Sequence, residues 1–178
     1  ETFLLKKFDA ISTISESMKK KLTDKGVKEC KSFLFPNWAN TNDVFHNKKI
    51  GIDFKTKKGF KKDDFVILYS GNMGKKQGLN VAIEAARALK KYTDIKFIFC
   101  GDGADKDNII NLIEKYELKN CFFYPLQNKE NFNKMLNSAD VHLVLQKSEA
   151  ADLVMPSKLT NIIASGGFSV VTAELNTE

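Results

Sequence analysis

From residue 65 onward, short and nearly continuous apolar runs alternate with longer stretches whose apolar positions recur every three to four residues. Phe65-Val66-Ile67-Leu68-Tyr69 predicts a strand; residues 78–91 predict a helix with Leu79, Ala82, Ile83, Ala86 and Leu89 on one face. The pattern continues as strand 95–100, helix 105–117, strand 121–124, helix 129–138 and strand 141–145. A loop then crosses 146–155, Pro156 suits the first position of a helix running to about 165, and a strand over 168–172 follows. Strands apolar on both faces belong to sheets covered on both sides. Their alternation with helices predicts an α/β fold with a doubly wound, Rossmann-like parallel sheet. Ligands of such sheets sit at the carboxyl ends of the strands. The loops 70–78, 100–103 and 146–158 fall there.

Upstream the signals are weaker. Residues 8–14 form a short apolar run, Ser15 caps a helix over about 16–25 with Gly26 as its stop, and Lys31 to Phe35 predicts a second short strand. Residues 36–43 read as a turn-rich linker. The polar stretch 46–64, with Lys55, Lys57 and Lys58, reads as a solvated surface segment leading into the strand at 65. After Thr172 neither a capped helix nor a closing strand follows, so the expectation is a chain truncated at both ends.

The chemistry concentrates after the strand at 65–69, in Ser70-Gly71-Asn72-Met73-Gly74-Lys75-Lys76-Gln77-Gly78. A strand, a glycine turn and a helix bring backbone N–H groups and the positive helix end to one spot, which suits a phosphate or diphosphate. Glycines let the backbone approach the anion, and lysines add charge there. The spacing is neither that of a P-loop nor that of the dinucleotide fingerprint. An ordinary strand-to-helix loop that needs glycine for its geometry has the same appearance.

Composition narrows the partners. The net charge of +6 is carried almost wholly by lysine, with Arg87 the only arginine. No basic stripe with interleaved aromatics appears, so nucleic acid is not the expected partner. No run approaches the ~20 apolar residues of a membrane span. Cys30, Cys100 and Cys121 are scattered; Cys100 and Cys121 lie in apolar strand runs and read as buried thiols of a reducing compartment. His46 and His142 lie far apart without ligand spacing, so no metal is expected.

Five segments in order carry a resemblance: Ser12 to Met18, Phe35-Pro36-Asn37-Trp38 with Asn42 to Phe45, the glycine turn at 71–78, Gly101-Asp102-Gly103, and Pro156-Ser157-Lys158-Leu159 with Ala164-Ser165-Gly166. Together they resemble the group-1 glycosyltransferases of the GT-B fold. Gly-Asn-Met-Gly-Lys-Lys-Gln-Gly and Pro-Ser-Lys-Leu-Thr-Asn are similar to the bacterial subgroup that builds capsule, O-antigen or exopolysaccharide, including N-acetyl-fucosamine transferases. The resemblance implies that 1–35 is the remnant of an acceptor domain, 36–64 the interdomain linker, and 65–178 a donor-binding domain forming the C-terminal half of GT-B. It implies a retaining, metal-independent transfer from a nucleotide-diphosphate sugar, a UDP-sugar, to a lipid-linked or glycan acceptor, with no cofactor. It also implies a cytoplasmic protein, with peripheral contact at the inner membrane face.

The resemblance implies donor contacts at Gly71, Asn72, Met73, Gly74, Gln77, Gly101, Asp102, Gly103, Leu126, Asp152, Pro156, Ser157 and Asn161. Lys75, Lys76 and Lys158 are the candidates for stabilising the leaving diphosphate. This chain departs from the family pattern at several positions. Asn72 stands where the family's turn holds arginine and Gln77 where it holds lysine, and Lys75 or Lys76 can replace the missing charge. Of the family's two glutamates eight residues apart, the second falls on Asn161 and the first on Leu153, with Asp152 and Glu149 nearby. Two other readings stay open: a sugar-nucleotide epimerase of GT-B fold, which would need acids and a histidine in the cleft, and a non-enzymatic basic nucleotide-binding module.

Overall fold

The computed structural model describes residues 2–147 and 156–173. A short helix, α1 (Thr2–Leu5), precedes β1 (Ile11–Thr13), α2 (Glu16–Asp24) and β2 (Ser32–Leu34). β1 and β2 pair in parallel as a separate two-stranded sheet. The Ser15 hydroxyl accepts from the Met18 N–H at the start of α2, and Gly26, at φ +80°, ends it, as the sequence predicted.

The second sheet has five parallel strands: β3 (Phe65–Ser70), β4 (Ile95–Cys100), β5 (Cys121–Tyr124), β6 (Val141–Val144) and β7 (Ser169–Val171), in the order β5-β4-β3-β6-β7. The chain runs outward from β3 to β5, then returns to lay β6 on the other side of β3. That reversal makes the sheet doubly wound and opens a crevice between the carboxyl ends of β3 and β6. α4 (Asn80–Ala88) and α5 (Lys106–Lys115) cover one face, burying Leu79, Ile83, Ala86 and Ile109 against Tyr69, Phe97 and Phe99. α6 (Lys129–Ser138) covers the other, with Met135 and Leu136 against Leu68, Ile98 and Cys100. Each fully buried side chain of this size contributes roughly 1.5–3 kcal/mol.

The stretch 46–64 is not a solvated segment. It holds α3 (Lys48–Lys57), capped by Asn47, whose side chain accepts from the Lys49 and Ile50 N–H groups. Gly51, Phe54 and Lys55 turn inward onto α6. A Cβ at Gly51 would collide with the Asn137 carbonyl, so the close approach of the two helices needs glycine there. Lysines spaced through the helix mask its short apolar face. α7 (Lys158–Ala164) begins two residues after Pro156, and the helix predicted at 78–91 is the shorter α4, preceded by a 3₁₀ turn, Lys75–Gln77. β7 carries the apolar run expected at 168–172, yet Phe168, Val170 and Val171 are exposed.

Candidate functional site

A cleft of about 720 Å³ opens at the crevice between β3 and β6. Ser70, Gly71 and Asn72 line it from the end of β3, Cys100 from β4, and Val144, Leu145 and Gln146 from β6. Lys76 and Gln77 come from the 3₁₀ turn, Leu126 and Gln127 from the loop after β5, and Phe132 and Met135 from α6. Pro156, Ser157, Lys158, Thr160 and Asn161 form the α7 wall, and Asn37 with Trp38 reaches in from the linker. The lining includes apolar side chains, Phe132, Met135 and Val144 with the Cys100 thiol, and two cations, Lys76 and Lys158. Among the described residues no carboxylate lines the cleft.

The glycines are required by backbone packing. Gly71 (φ +132°) and Gly101 (φ +145°) lie side by side, and a Cβ on Gly101 would fall on the Gly71 carbonyl oxygen. The two loops are thereby knitted together: Gly71 N–H donates to the Cys100 carbonyl (2.9 Å), Met73 N–H to Asp102 (2.8 Å) and Asp105 N–H to Met73 (2.9 Å). This changes the expected donor set. Of the four N–H groups at 71–74, those of Gly71 and Met73 are consumed inside the protein. Among the described residues only those of Asn72 and Gly74 are left for a ligand.

Lys158 is the central cation. Its Nζ lies 4.1 Å from the centroid of the Tyr69 ring, and a Cβ on Gly71 would be 3.2 Å from it. Among the described residues no carboxylate or carbonyl pairs with it. Burial holds its pKa down from 10.5 to about 8, so it is still mostly charged at neutral pH. The Tyr69 hydroxyl, beneath it, donates to the Asn72 carbonyl at 2.6 Å. The Gln77 side-chain oxygen is buried without a partner among the described residues.

The predicted site residues thus divide. Gly71, Asn72, Lys76, Gln77, Leu126, Pro156, Ser157, Lys158 and Asn161 meet at the cleft. Met73 does not: its side chain is fully buried in the core. Gly74, Lys75, Gly101, Asp102 and Gly103 stand behind or beside the lining, where Asp102 pairs with Lys106 at 3.5 Å. Asp152, with Glu149 and Leu153, lies outside the described residues. α7 has only seven residues and Ser157 makes no capping bond, so the charge comes from the Lys158 side chain rather than from the helix end. Neither histidine lines the cleft; His142 is buried on β6, and His46 Nδ1 lies 3.0 Å from the Ser165 carbonyl. Sequence reasoning missed Tyr69, whose signal was its place at the carboxyl end of β3. It also missed Asn37, Trp38, Phe132, Met135 and Thr160, which only the fold brings to the cleft.

A doubly wound parallel sheet with glycine loops at its switch point, and lysines there that are unpaired among the described residues, is the form of an anion-binding α/β domain. The chain belongs to the family described as glycosyl transferases group 1, whose profile matches residues 52–176. WcaI of Escherichia coli (strain K12), whose name proposes a colanic acid biosynthesis glycosyl transferase, is 42% identical over 171 residues. That match covers 96% of this chain and 42% of WcaI, so the chain spans less than half the length of this relative. The crystal structure of Anabaena HepE in complex with UDP and glucose has a TM-score of 0.79 at 13% identity, covering 96% of this chain and 46% of that one. WaaG, a glycosyltransferase involved in lipopolysaccharide biosynthesis, aligns with a TM-score of 0.72 at 17% identity over 92% of this chain and 49% of its own. At these identities the two structures establish the shared fold.

Proposed function

We propose that this chain is the donor-binding part of a glycosyltransferase. It would transfer a sugar from a nucleotide-diphosphate donor, a UDP-sugar, to a lipid-linked or glycan acceptor in surface polysaccharide biosynthesis. The observation that carries this reading is the pairing, in one cleft, of apolar lining with lysines that have no counter-ion among the described residues. HepE, solved with UDP and glucose, and WcaI, named for colanic acid biosynthesis, support it.

Breaking the anomeric C–O bond leaves its electron pair on the diphosphate, and catalysis requires that this growing charge be stabilised. Lys158 and Lys76, with the N–H group of Asn72, supply positive charge where it accumulates. With two cations provided by the protein, the transfer proceeds without a metal or cofactor, and retention of configuration follows the family resemblance. We assign Asn161, which lines the cleft from α7, to hydrogen-bonding a ribose diol as a neutral amide. A second, largely apolar pocket of about 340 Å³ adjoins the cleft and shares Asn37, Pro156 and Thr160 with it. We assign it to the acceptor side. Among the described residues no helix is long and apolar enough to cross a membrane; we place the protein in the cytoplasm, with peripheral contact at the inner membrane face.

Calorimetry of UDP and uridine, each with magnesium and with EDTA, tests the reading. UDP is expected to bind more tightly than uridine and equally in both buffers. Equal affinity for the two ligands would overturn diphosphate recognition, and strict magnesium dependence would overturn the metal-independent mechanism.

A further inference from the structure

Lys158 and the glycine turn come from opposite sides of the cleft, yet they meet within a few ångströms. The side chain between them is Tyr69. We propose that Tyr69 is a positioning residue for diphosphate: its ring carries the Lys158 ammonium while its hydroxyl anchors the Asn72 carbonyl, so one buried side chain sets both halves of the anion site in register. The proposal rests on the donor-binding reading above and extends it to a residue that touches no ligand.

The ring cannot swing away. Tyr69 is fully buried and packs with Met73, Leu79 and Phe99. A buried phenol needs a hydrogen-bond partner, and here it is the Asn72 carbonyl at 2.6 Å. Burial pushes the Tyr69 pKa well above its ordinary 10, so the hydroxyl keeps the proton it donates. The peptide joining Asn72 to Met73 is held at both ends, since the Met73 N–H donates to the Asp102 carbonyl. That fixes the direction of the flanking N–H groups of Asn72 and Gly74, the two left for a ligand.

The upper face of the ring does a different job. At 4.1 Å from the centroid, the Lys158 ammonium is within cation–π range. A carboxylate in that place would hold the lysine more strongly but would neutralise it and repel a diphosphate. An aromatic face orients the cation and leaves its charge for the ligand. Gly71 completes the arrangement, because a Cβ there would crowd Nζ at 3.2 Å. Among the described residues the other titratable groups lining the cleft are Lys76 on the 3₁₀ turn and the Cys100 thiol at the end of β4. Burial raises the Cys100 pKa, which keeps that thiol neutral.

The test measures UDP and uridine affinity by calorimetry from pH 6.5 to 9.5 for wild type, Tyr69→Phe, Tyr69→Leu, Lys158→Met and the Tyr69→Leu/Lys158→Met pair. Tyr69→Phe keeps the ring and the core volume; UDP should weaken about 2- to 10-fold through loss of one hydrogen bond, with uridine unchanged and the alkaline fall-off in place. Tyr69→Leu should weaken UDP further and move the fall-off to lower pH, because the ring no longer favours the charged lysine. In the Lys158→Met background the Leu substitution should cost UDP affinity distinctly less, which is the coupling a double-mutant cycle reads. Equal losses for UDP and uridine, or the same loss with and without Lys158, would reduce Tyr69 to a core residue and overturn the proposal. If Tyr69→Leu does not fold, unchanged UDP affinity in Tyr69→Phe overturns the anchoring role by itself. Wild-type protein that binds neither UDP nor inorganic pyrophosphate would instead overturn the donor-binding reading, and this proposal with it.

Discussion

Each end of the five-stranded sheet has its own partly or fully buried lysine, and the two are treated in opposite ways. At the amino ends of β3 and β6, Lys55 donates to the Asp140 carboxylate (2.8 Å) and to the Asp64 carbonyl (2.9 Å). Asp140 also accepts from the Val66 N–H (2.8 Å), so the ion pair ties α3 to two strands. At the carboxyl ends, Lys158 has an aromatic ring below it and, among the described residues, no anion. A buried cation with its own carboxylate is part of the framework, and removing one partner strands the other. A buried cation without one is a standing cost that a bound anion relieves. The closed end holds the sheet together, and the open end is where chemistry has room.

The largest effect expected from breaking this comparison is at the closed end. Asp140→Ala should destabilise the chain by roughly 3 kcal/mol in urea unfolding, the low end for a broken buried pair because Asp140 is partly exposed. UDP affinity should not change. A drop in UDP affinity without loss of stability would erase the distinction between the two ends.

His142 sharpens the picture between the ends. It is buried on β6 beneath Gly167, and both ring nitrogens lack partners among the described residues. Burial holds its pKa down from 6.5 to about 4, so the native state keeps it neutral. The unfolded chain binds this proton from about pH 6.5 downward and the folded one only near pH 4. Stability is therefore full above 6.5 and falls as pH drops toward 4, by on the order of 3 kcal/mol. Denaturation midpoints of wild type and His142→Leu across that window check it; an equal acid loss in both would mean that other groups carry it.

At the open end, Lys158→Met should weaken UDP by about 1.5–3 kcal/mol, the usual worth of a hydrogen bond to a charged group, and leave uridine unchanged. Stability should stay level or rise, the reverse of Asp140→Ala. Stability and affinity also move in opposite directions with pH. As pH climbs from 8 to 10.5, loss of the Lys158 proton relieves the buried charge and stabilises the fold, while UDP affinity falls. The smallest effects separate neighbours on the turn. Lys76→Ala should lower UDP affinity by about 0.5–1 kcal/mol, the scale of an exposed charge, and Lys75→Ala, outside the lining, should leave it within error. Equal effects from the two would mean that the diphosphate senses general charge rather than the cleft.

Much of this was legible beforehand. The strands at 95–100 and 121–124 and the helix at 129–138 match the predicted bounds, because continuous apolar runs and a 3.6-residue period leave little choice. The α3 helix was missed for the converse reason: ten residues with four lysines look like surface when Gly51 and Phe54 are the only obvious inward positions. In the site, the glycine turn and the Pro156-Ser157-Lys158 segment were readable as motifs. At Met73 the motif names a residue without saying which way its side chain points, and that side chain turns into the core.

The sequence by itself determined the alternation of strands and helices, the parallel doubly wound sheet they imply, the positions of the glycine turns and the family to which the chain belongs. These follow from local periodicity and from φ angles that only glycine adopts freely. The tertiary structure decided which N–H groups the loops consume, which of three candidate lysines reach the cleft, and that Lys158 rests on Tyr69 while Lys55 is matched to Asp140. Residues 69 and 158, like 55 and 140, are far apart in the chain. Whether a buried charge meets a carboxylate or an aromatic face depends on how strands and helices from distant segments pack, and no local pattern records that.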